Sequence, residues 1–151
     1  MLIVSIFKTP WGSLEVGHDE QHIHQALFVN KPPSSTKSPF CKLIQTELDC
    51  YLQNAKHRFQ LPLKPKGSGF QQSVWGALLV IPSGRTLTYG ELALQLQTSP
   101  RAIGQACKTN PITLFIPCHR IVAKIDIGGY MGQEKAINYK MGLLNHEGSF
   151  L

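Results

Sequence analysis

Residues 88–110 read TYGELALQLQTSPRAIGQACKTN, and they carry the signals of two short helices joined by a tight turn. A threonine followed by a glutamate three residues later is a capping-box pattern, which predicts a helix over 89–96. Ser99 is a good N-cap residue and Pro100 fits the first helical position, so a second helix is predicted over about 100–109. Because only a few residues separate the two helices, the pair has the size of a helix-turn-helix.

The second of these helices has a small-residue face. Ala102, Gly104 and Ala106 lie along it, with Arg101 at its start. Such a face lets a helix approach a surface closely, although the same pattern also lets two helices pack against each other. The residues alone leave both interpretations open.

The chain before this stretch reads as a small sheet followed by a helix. Strands are predicted over 2–7, 13–16 and 22–29 from their β-branched, aromatic and alternating residues. Apolar residues at helical spacing predict an amphipathic helix over 40–53. The prolines and glycines of 57–69 predict a linker.

The C-terminal part reads as mostly helical. Helices are predicted over 70–80 and 134–146, and an apolar run, ITLFI, occupies 112–116. The predicted fold class is therefore α+β. A small N-terminal sheet-plus-helix domain, 1–62, precedes a helical C-terminal domain, 63–151, that contains the helix-turn-helix.

Composition and charge narrow the function classes. The chain has 151 residues, of which 42% are hydrophobic and 16% charged, and this excludes a disordered polypeptide. The sequence contains no run of eighteen apolar residues, so no membrane span is predicted. It also shows no secretory signal pattern, and we therefore expect a soluble cytoplasmic protein. Of the net charge of +6, residues 63–151 contribute +5. A basic half favours an anionic partner such as nucleic acid, although +6 is also an ordinary solubility charge.

The cysteines predict free thiols. Cys41, Cys50, Cys107 and Cys118 form no CxxC pair, and no Cys–His spacing matches a zinc site. We therefore expect no bound metal. In a cytosolic chain one of these thiols can be reactive, while buried cysteines otherwise behave as small hydrophobic residues.

The densest polar cluster follows the apolar run and Pro117. Cys118 offers a soft nucleophile, His119 can accept the thiol proton, and Arg120 adds positive potential that favours the thiolate. Glu147 is a candidate to orient the histidine. Adjacent residues need not face each other, however, and a Cys-His pair also arises by chance.

Several motifs in a fixed order match one family. The chain resembles the O6-alkylguanine-DNA alkyltransferases, also called methylated-DNA–protein-cysteine methyltransferases. The resemblance is close over about 67–148 and loose before it. It rests on IPCHRIV at 116–122, TYGELA at 88–93, SPRAIG at 99–104, Asn110-Pro111, GGY at 128–130 and HEG at 146–148.

The resemblance implies a role for each residue of the predicted active site. Cys118 accepts the alkyl group from the O6 of guanine, with the O4 of thymine as a second target. His119 acts as a base through a water molecule, and Glu147 orients it. Asn110 braces the turn that carries the active site. Tyr89 aids base flipping and donates a proton to the base.

The resemblance also implies the DNA contacts and the pocket. Arg101 is expected to enter the base stack as a finger, while the small helix face lies in the minor groove. The other implied DNA contacts are Ser99, Ala102, Gly104, Gln105 and Arg120. The implied pocket residues are Ile121, Tyr130 and Met131. Met131 departs from many relatives, which have a small residue there, so the range of alkyl groups is open.

The expected activity is a single-turnover transfer on double-stranded DNA by a monomer without a cofactor. Some relatives bind zinc through cysteines near the start of the chain, but this chain has no cysteine before Cys41. Two other classes stay open. A non-catalytic damage-recognition protein keeps the fold but lacks the acceptor cysteine, and a helix-turn-helix regulator binds a specific sequence.

Overall fold

The N-terminal part is an antiparallel sheet with one helix. The structure, a computed structural model, describes residues 2–133 and 136–149. Strands β1 (Ile3–Thr9), β2 (Gly12–His18) and β3 (Ile23–Val29) pair in that order, and helix α1 (Pro39–Gln53) follows. These are the elements that the sequence predicted, with each bound within two residues of the predicted one.

Alternation along the strands forms one side of the core. Phe7, Leu14 and Phe28 are buried, and α1 contributes Ile44 and Tyr51 to the same cluster. Because successive strand residues point to opposite faces, the other sheet face stays more exposed. The core orients α1 so that Tyr51 points into the interior.

The C-terminal part contains four α-helices within the described residues. They are α2 (Gly69–Leu79), α3 (Tyr89–Leu96), α4 (Pro100–Lys108) and α5 (Ile137–His146). The predicted caps are present, because the side chains of Thr88 and Ser99 accept backbone N–H groups at the starts of α3 and α4. The predicted start of the last helix at 134–135 lies outside the described residues.

Two features differ from the sequence predictions. Strands β4 (Leu87–Thr88) and β5 (Ile121–Val122) form a parallel pair that was not predicted, since two-residue strands carry no periodic signal. Segment 57–69 is no free linker. The N–H of Ile23 in β3 donates a hydrogen bond to the carbonyl of Pro62, and the N–H of Lys64 donates one to the carbonyl of Ile23.

The buried residues of both parts form a single cluster. Ala26 of β3 also exchanges backbone hydrogen bonds with Pro111 and Thr113 of the C-terminal part. The N-terminal sheet therefore packs directly behind the segment that leads to Cys118. A division into 1–62 and 63–151 stays a prediction.

Candidate active site

A compact turn delivers Cys118 to its position. Asn110 Nδ2 donates to the carbonyl of Ile116 at 2.9 Å, and Asn110 Oδ1 accepts from the N–H of Ile112 at 3.0 Å. The apolar run between them is folded back, with Leu114 at a positive φ of 76°. A single 3-10 turn, Cys118–Arg120, follows Pro117. The amide of Asn110 thus bridges both ends of the loop before the cysteine.

The Cys118 thiol is held in its protonated form. The residue is only 5% exposed. Burial raises the pKa of the thiol, while the Asn110 amide and the positive charge of Lys140 oppose this effect. A resting thiol needs a base to remove its proton at the moment of attack.

His119 has the properties of such a base. Its ring is fully buried, and Nε2 lies 2.9 Å from Glu147 Oε2. Burial lowers its pKa, against the opposing pull of Glu147, so the ring is neutral at pH 7. An ionised carboxylate can only accept, and therefore Nε2 carries the proton and Nδ1 carries the lone pair. Within the described residues, Nδ1 has no hydrogen-bond partner.

Glu147 is the centre of a buried charge network. Besides His119 Nε2, it accepts hydrogen bonds from Tyr51 Oη at 2.6 Å and from Arg120 Nε and Nη2, each at 2.9 Å. Burial opposes ionisation, but the hydrogen bonds and charges of His119 and Arg120 hold the pKa of Glu147 well below its usual range. Glu147 is thus a charged acceptor of four hydrogen bonds, three on Oε2 and one on Oε1.

The side chain of Arg120 faces the interior of the protein. The residue was expected to contact DNA, but it is 9% exposed and its third hydrogen bond goes from Nη1 to the carbonyl of Ile81 at 2.6 Å. A guanidinium committed to Glu147 and Ile81 is turned inward. Its charge therefore compensates the buried carboxylate.

A cavity of about 610 Å³ opens beside Cys118. Tyr89, Tyr130 and Met131 line it, together with Gly104 of α4. That volume is in the range of small-molecule pockets. Ile121, the other expected wall residue, is fully buried and is not part of the lining; its carbonyl accepts from Lys140 Nζ at 2.6 Å.

Gly128 packs closely against the side chain of Tyr89. Gly128 has a φ of +72°, and a Cβ atom there would lie 2.8 Å from Tyr89 Oη. Burial raises the pKa of Tyr89, which keeps its hydroxyl protonated and able to donate. Gly128 therefore allows the tyrosine hydroxyl to reach the cavity.

Two site residues were missed by the sequence analysis. Lys140 is fully buried, and its Nζ donates to the carbonyls of Ile121 and Gly129, which ties β5 to the cavity loop. Burial lowers the pKa of Lys140 to about 8. The sequence signal that could have indicated this residue is a lysine on the apolar face of the predicted helix 134–146. Cys107 also lines the cavity, and burial raises its pKa to about 12, which makes it a poor nucleophile at neutral pH.

Helix α4 lies next to this cavity with its outer face open. Arg101 and Gln105 are exposed, whereas Ala102 and Gly104 are half-buried. The Ser99 hydroxyl caps the helix at 3.1 Å from the N–H of Ala102. Trp75 Nε1 donates to the carbonyl of Ala106 at 2.8 Å and fixes α4 from behind. The expected DNA-contact residues other than Arg120 therefore share one surface beside Cys118.

One group of possible metal ligands lies away from this site. Ligand atoms of Glu47, Cys50 and His57 are all within 4.8 Å of one another. Glu47 already accepts hydrogen bonds from His57 Nε2 and from the N–H of Gln60. The absence of a bound metal stays a prediction from the sequence.

Among residues 2–133 and 136–149, no helix combines the length and hydropathy needed to cross a membrane.

The helix pair is the arrangement of a DNA-binding protein, and a buried thiol lines the cavity beside it. The family model described as "6-O-methylguanine DNA methyltransferase, DNA binding domain" matches residues 69–149. A relative from Saccharolobus solfataricus, named methylated-DNA–protein-cysteine methyltransferase, is 34% identical over 150 residues, which cover 98% of this chain and 97% of the relative. The chain therefore belongs to the methylated-DNA–protein-cysteine methyltransferase family.

Solved structures agree in fold. An O6-methylguanine methyltransferase from Mycobacterium tuberculosis superposes with a TM-score of 0.84 at 29% identity, covering all of this chain and 95% of that one. A structure of the protein from the same organism in complex with DNA gives a TM-score of 0.81 at 32% identity, with coverage of 97% and 93%. The predicted α+β fold with a helix-turn-helix is confirmed.

Proposed function

We propose that this protein repairs O6-alkylguanine in double-stranded DNA by irreversible transfer of the alkyl group to Sγ of its own Cys118. Family membership gives the reaction class. The observation that supports the acceptor is the position of Cys118, since its buried thiol lines the cavity and is followed in sequence by the neutral, carboxylate-bound His119. Burial raises the pKa of its neighbour in the cavity, Cys107, to about 12, which disfavours that thiol as the acceptor.

The chemical step balances with groups that are present. The thiol proton passes through a water molecule to Nδ1 of His119, and Sγ attacks the alkyl carbon. The S–C bond forms as the C–O6 bond breaks, and the electron pair goes to O6 of guanine. Tyr89 stabilises the leaving guanine by donating a proton to it. The proton that His119 took from the thiol then returns to Tyr89. The thiol itself accepts the alkyl group, so the step requires no metal or organic cofactor.

The target base must leave the helix to reach Cys118. Base flipping costs a few kcal/mol, and an inserted side chain can compensate the lost stacking. We assign this insertion to Arg101 at the exposed start of α4, with the small face of Ala102 and Gly104 in the minor groove. Ser99 and Gln105 contact the backbone, which gives affinity without sequence choice.

The product is a thioether, which water does not cleave, so each molecule acts once. We propose that the protein acts as a monomer, as the resemblance to the family implies. Because all four cysteines are free, we also propose a cytoplasmic, reducing location.

The N-terminal residues 1–62 serve as a structural domain behind the alkyltransferase domain, 63–151. The O4 of thymine is proposed as a second target.

The stoichiometry of repair tests this function. The protein is incubated with excess duplex containing one O6-methylguanine, and restored guanine is counted over time. We expect a plateau at one guanine per protein molecule. Duplex binding without any restored guanine would favour the non-catalytic damage-recognition alternative. Binding restricted to one DNA sequence would favour the regulator.

A further inference from the structure

Helix α1 reaches the active site through one side chain. Tyr51 is fully buried, and its hydroxyl donates to Glu147 Oε2 at 2.6 Å across 96 residues of sequence. The carbonyl of the same tyrosine accepts a hydrogen bond from His146 Nε2 at 2.8 Å. The N-terminal part therefore holds the two residues at the end of α5 by two separate bonds.

The Tyr51 ring has little freedom to move. Its centroid lies 4.9 Å from that of His146 and 5.0 Å from that of Phe59, and Trp11 closes a third side at 6.5 Å. Close packing in a core leaves a side chain one rotamer. The hydroxyl is thus aimed at Oε2 of Glu147.

That oxygen is the one that binds the catalytic base. Glu147 Oε2 accepts from Tyr51 Oη at 2.6 Å, His119 Nε2 at 2.9 Å and Arg120 Nη2 at 2.9 Å. Three donors around one oxygen fix its direction. Without the hydroxyl, Oε2 keeps only the His119 and Arg120 donors, so its position relative to the His119 ring is less restricted.

We propose that Tyr51 is a positioning residue for alkyl transfer, which acts through Glu147 on His119. The N-terminal part is then a component of the catalytic device as well as a scaffold. This inference rests on the proposed function, because it assigns Tyr51 to the transfer step at Cys118. Burial and the charge of Glu147 both raise the pKa of Tyr51, so its hydroxyl remains a donor throughout.

The variant Tyr51→Phe removes this donor and keeps the ring. With one donor fewer, the Glu147 charge is less compensated and stabilises the protonated His119 more strongly. The pKa of His119 then rises towards its ordinary value, and the acid limb of the rate profile moves to higher pH. The other charged groups that face His119 are Arg120 on its own turn and Lys140 on α5, and both remain unchanged.

The experiment measures single-turnover transfer to Cys118 between pH 5 and pH 9. Free O6-benzylguanine base serves as one substrate and a duplex with O6-methylguanine as the other, so that chemistry and DNA binding are separated. For Tyr51→Phe we expect a roughly tenfold lower rate at neutral pH, an acid limb raised by about half to one pH unit, and unchanged duplex affinity. The matched control is Tyr139→Phe, because Tyr139 stacks on Phe28 at 4.6 Å and lies outside the Glu147 network.

Two results would overturn the inference: a wild-type pH profile for Tyr51→Phe, or a loss of rate that is equal at every pH. If Tyr51→Phe does not fold, Phe59→Leu loosens the ring and keeps the hydroxyl, and we expect a smaller shift of the acid limb in the same direction. A wild-type limb in that variant would refute the proposal. Failure of the wild-type protein to alkylate Cys118 with either substrate would refute the proposed function itself.

Discussion

The substitution Glu147→Gln tests the buried network most severely. The carboxylate accepts four hydrogen bonds, from Tyr51, from His119 and twice from Arg120. The carbonyl oxygen of a glutamine side chain can accept two of these hydrogen bonds. Its NH₂ group is itself a donor, so it cannot accept the other two. The substitution thus removes the negative charge and leaves two buried donors without an acceptor.

The expected loss of stability follows from this count. Each buried donor left unpaired costs about 1–3 kcal/mol, and removal of one partner from a buried ion pair costs about 3–5 kcal/mol in total. We therefore expect the free energy of unfolding to fall by about 3–5 kcal/mol. The transfer rate should fall by about 10²–10⁴-fold, since glutamine can donate to Nε2 of His119 and place the ring proton on Nδ1, which removes the base.

Urea unfolding and single-turnover transfer measure the two effects. The control is Glu15→Gln, because Glu15 pairs with Lys31 at 2.9 Å on the protein surface. Such a pair contributes about 0–1 kcal/mol. If Glu147→Gln were destabilised no more than Glu15→Gln, or if it transferred alkyl groups at the wild-type rate, the role of this network would be refuted.

Further predictions concern pH, DNA and the cavity. Burial lowers the pKa of His119, so the acid limb of the transfer rate should lie below pH 6.5; a limb above pH 7 would contradict a neutral base. The same depressed pKa means that folding favours the neutral ring, so this contribution to stability is lost as the pH falls below about 6.5, which urea unfolding at several pH values would show. Arg101→Ala should slow repair of duplex DNA by at least tenfold and leave the reaction with free O6-benzylguanine unchanged; equal rates on both substrates would remove its role in base flipping. Gly128→Ala should cost about 1–2 kcal/mol because of its φ of +72°, and it should slow transfer by displacing Tyr89; wild-type rates would show that the fit around Tyr89 is unimportant.

Local signals in the sequence predicted the helix pair well. The caps at Thr88 and Ser99 and the proline at the first position of α4 act within a few residues, so their effect does not depend on the rest of the fold. The strands of the N-terminal sheet were predicted for the same reason, since alternation is a local pattern. The parallel pair β4–β5 joins segments that are far apart in the sequence, and each strand is too short to show a period.

The site residues divide in the same way. Cys118 and His119 were proposed from the sequence because they are adjacent and chemically distinctive. Arg120 was expected to face DNA, because its charge is visible in the sequence while the buried partner that turns it inward comes from α5. Tyr51 and Lys140 occupy apolar helix faces, where a sequence pattern assigns them only to the core. Their partners become visible when tertiary contacts place a carboxylate or a carbonyl within 3 Å.

The most direct test of the account is the mass of Cys118 after reaction with duplex DNA that contains O6-methylguanine. Peptide mapping of the whole protein distinguishes Cys118 from Cys41, Cys50 and Cys107. The account predicts one added methyl group, on the peptide with Cys118, and none in the variant Cys118→Ala, which still binds the duplex. Methyl transfer to another cysteine, or an unmodified Cys118 in protein that binds this DNA, would contradict it.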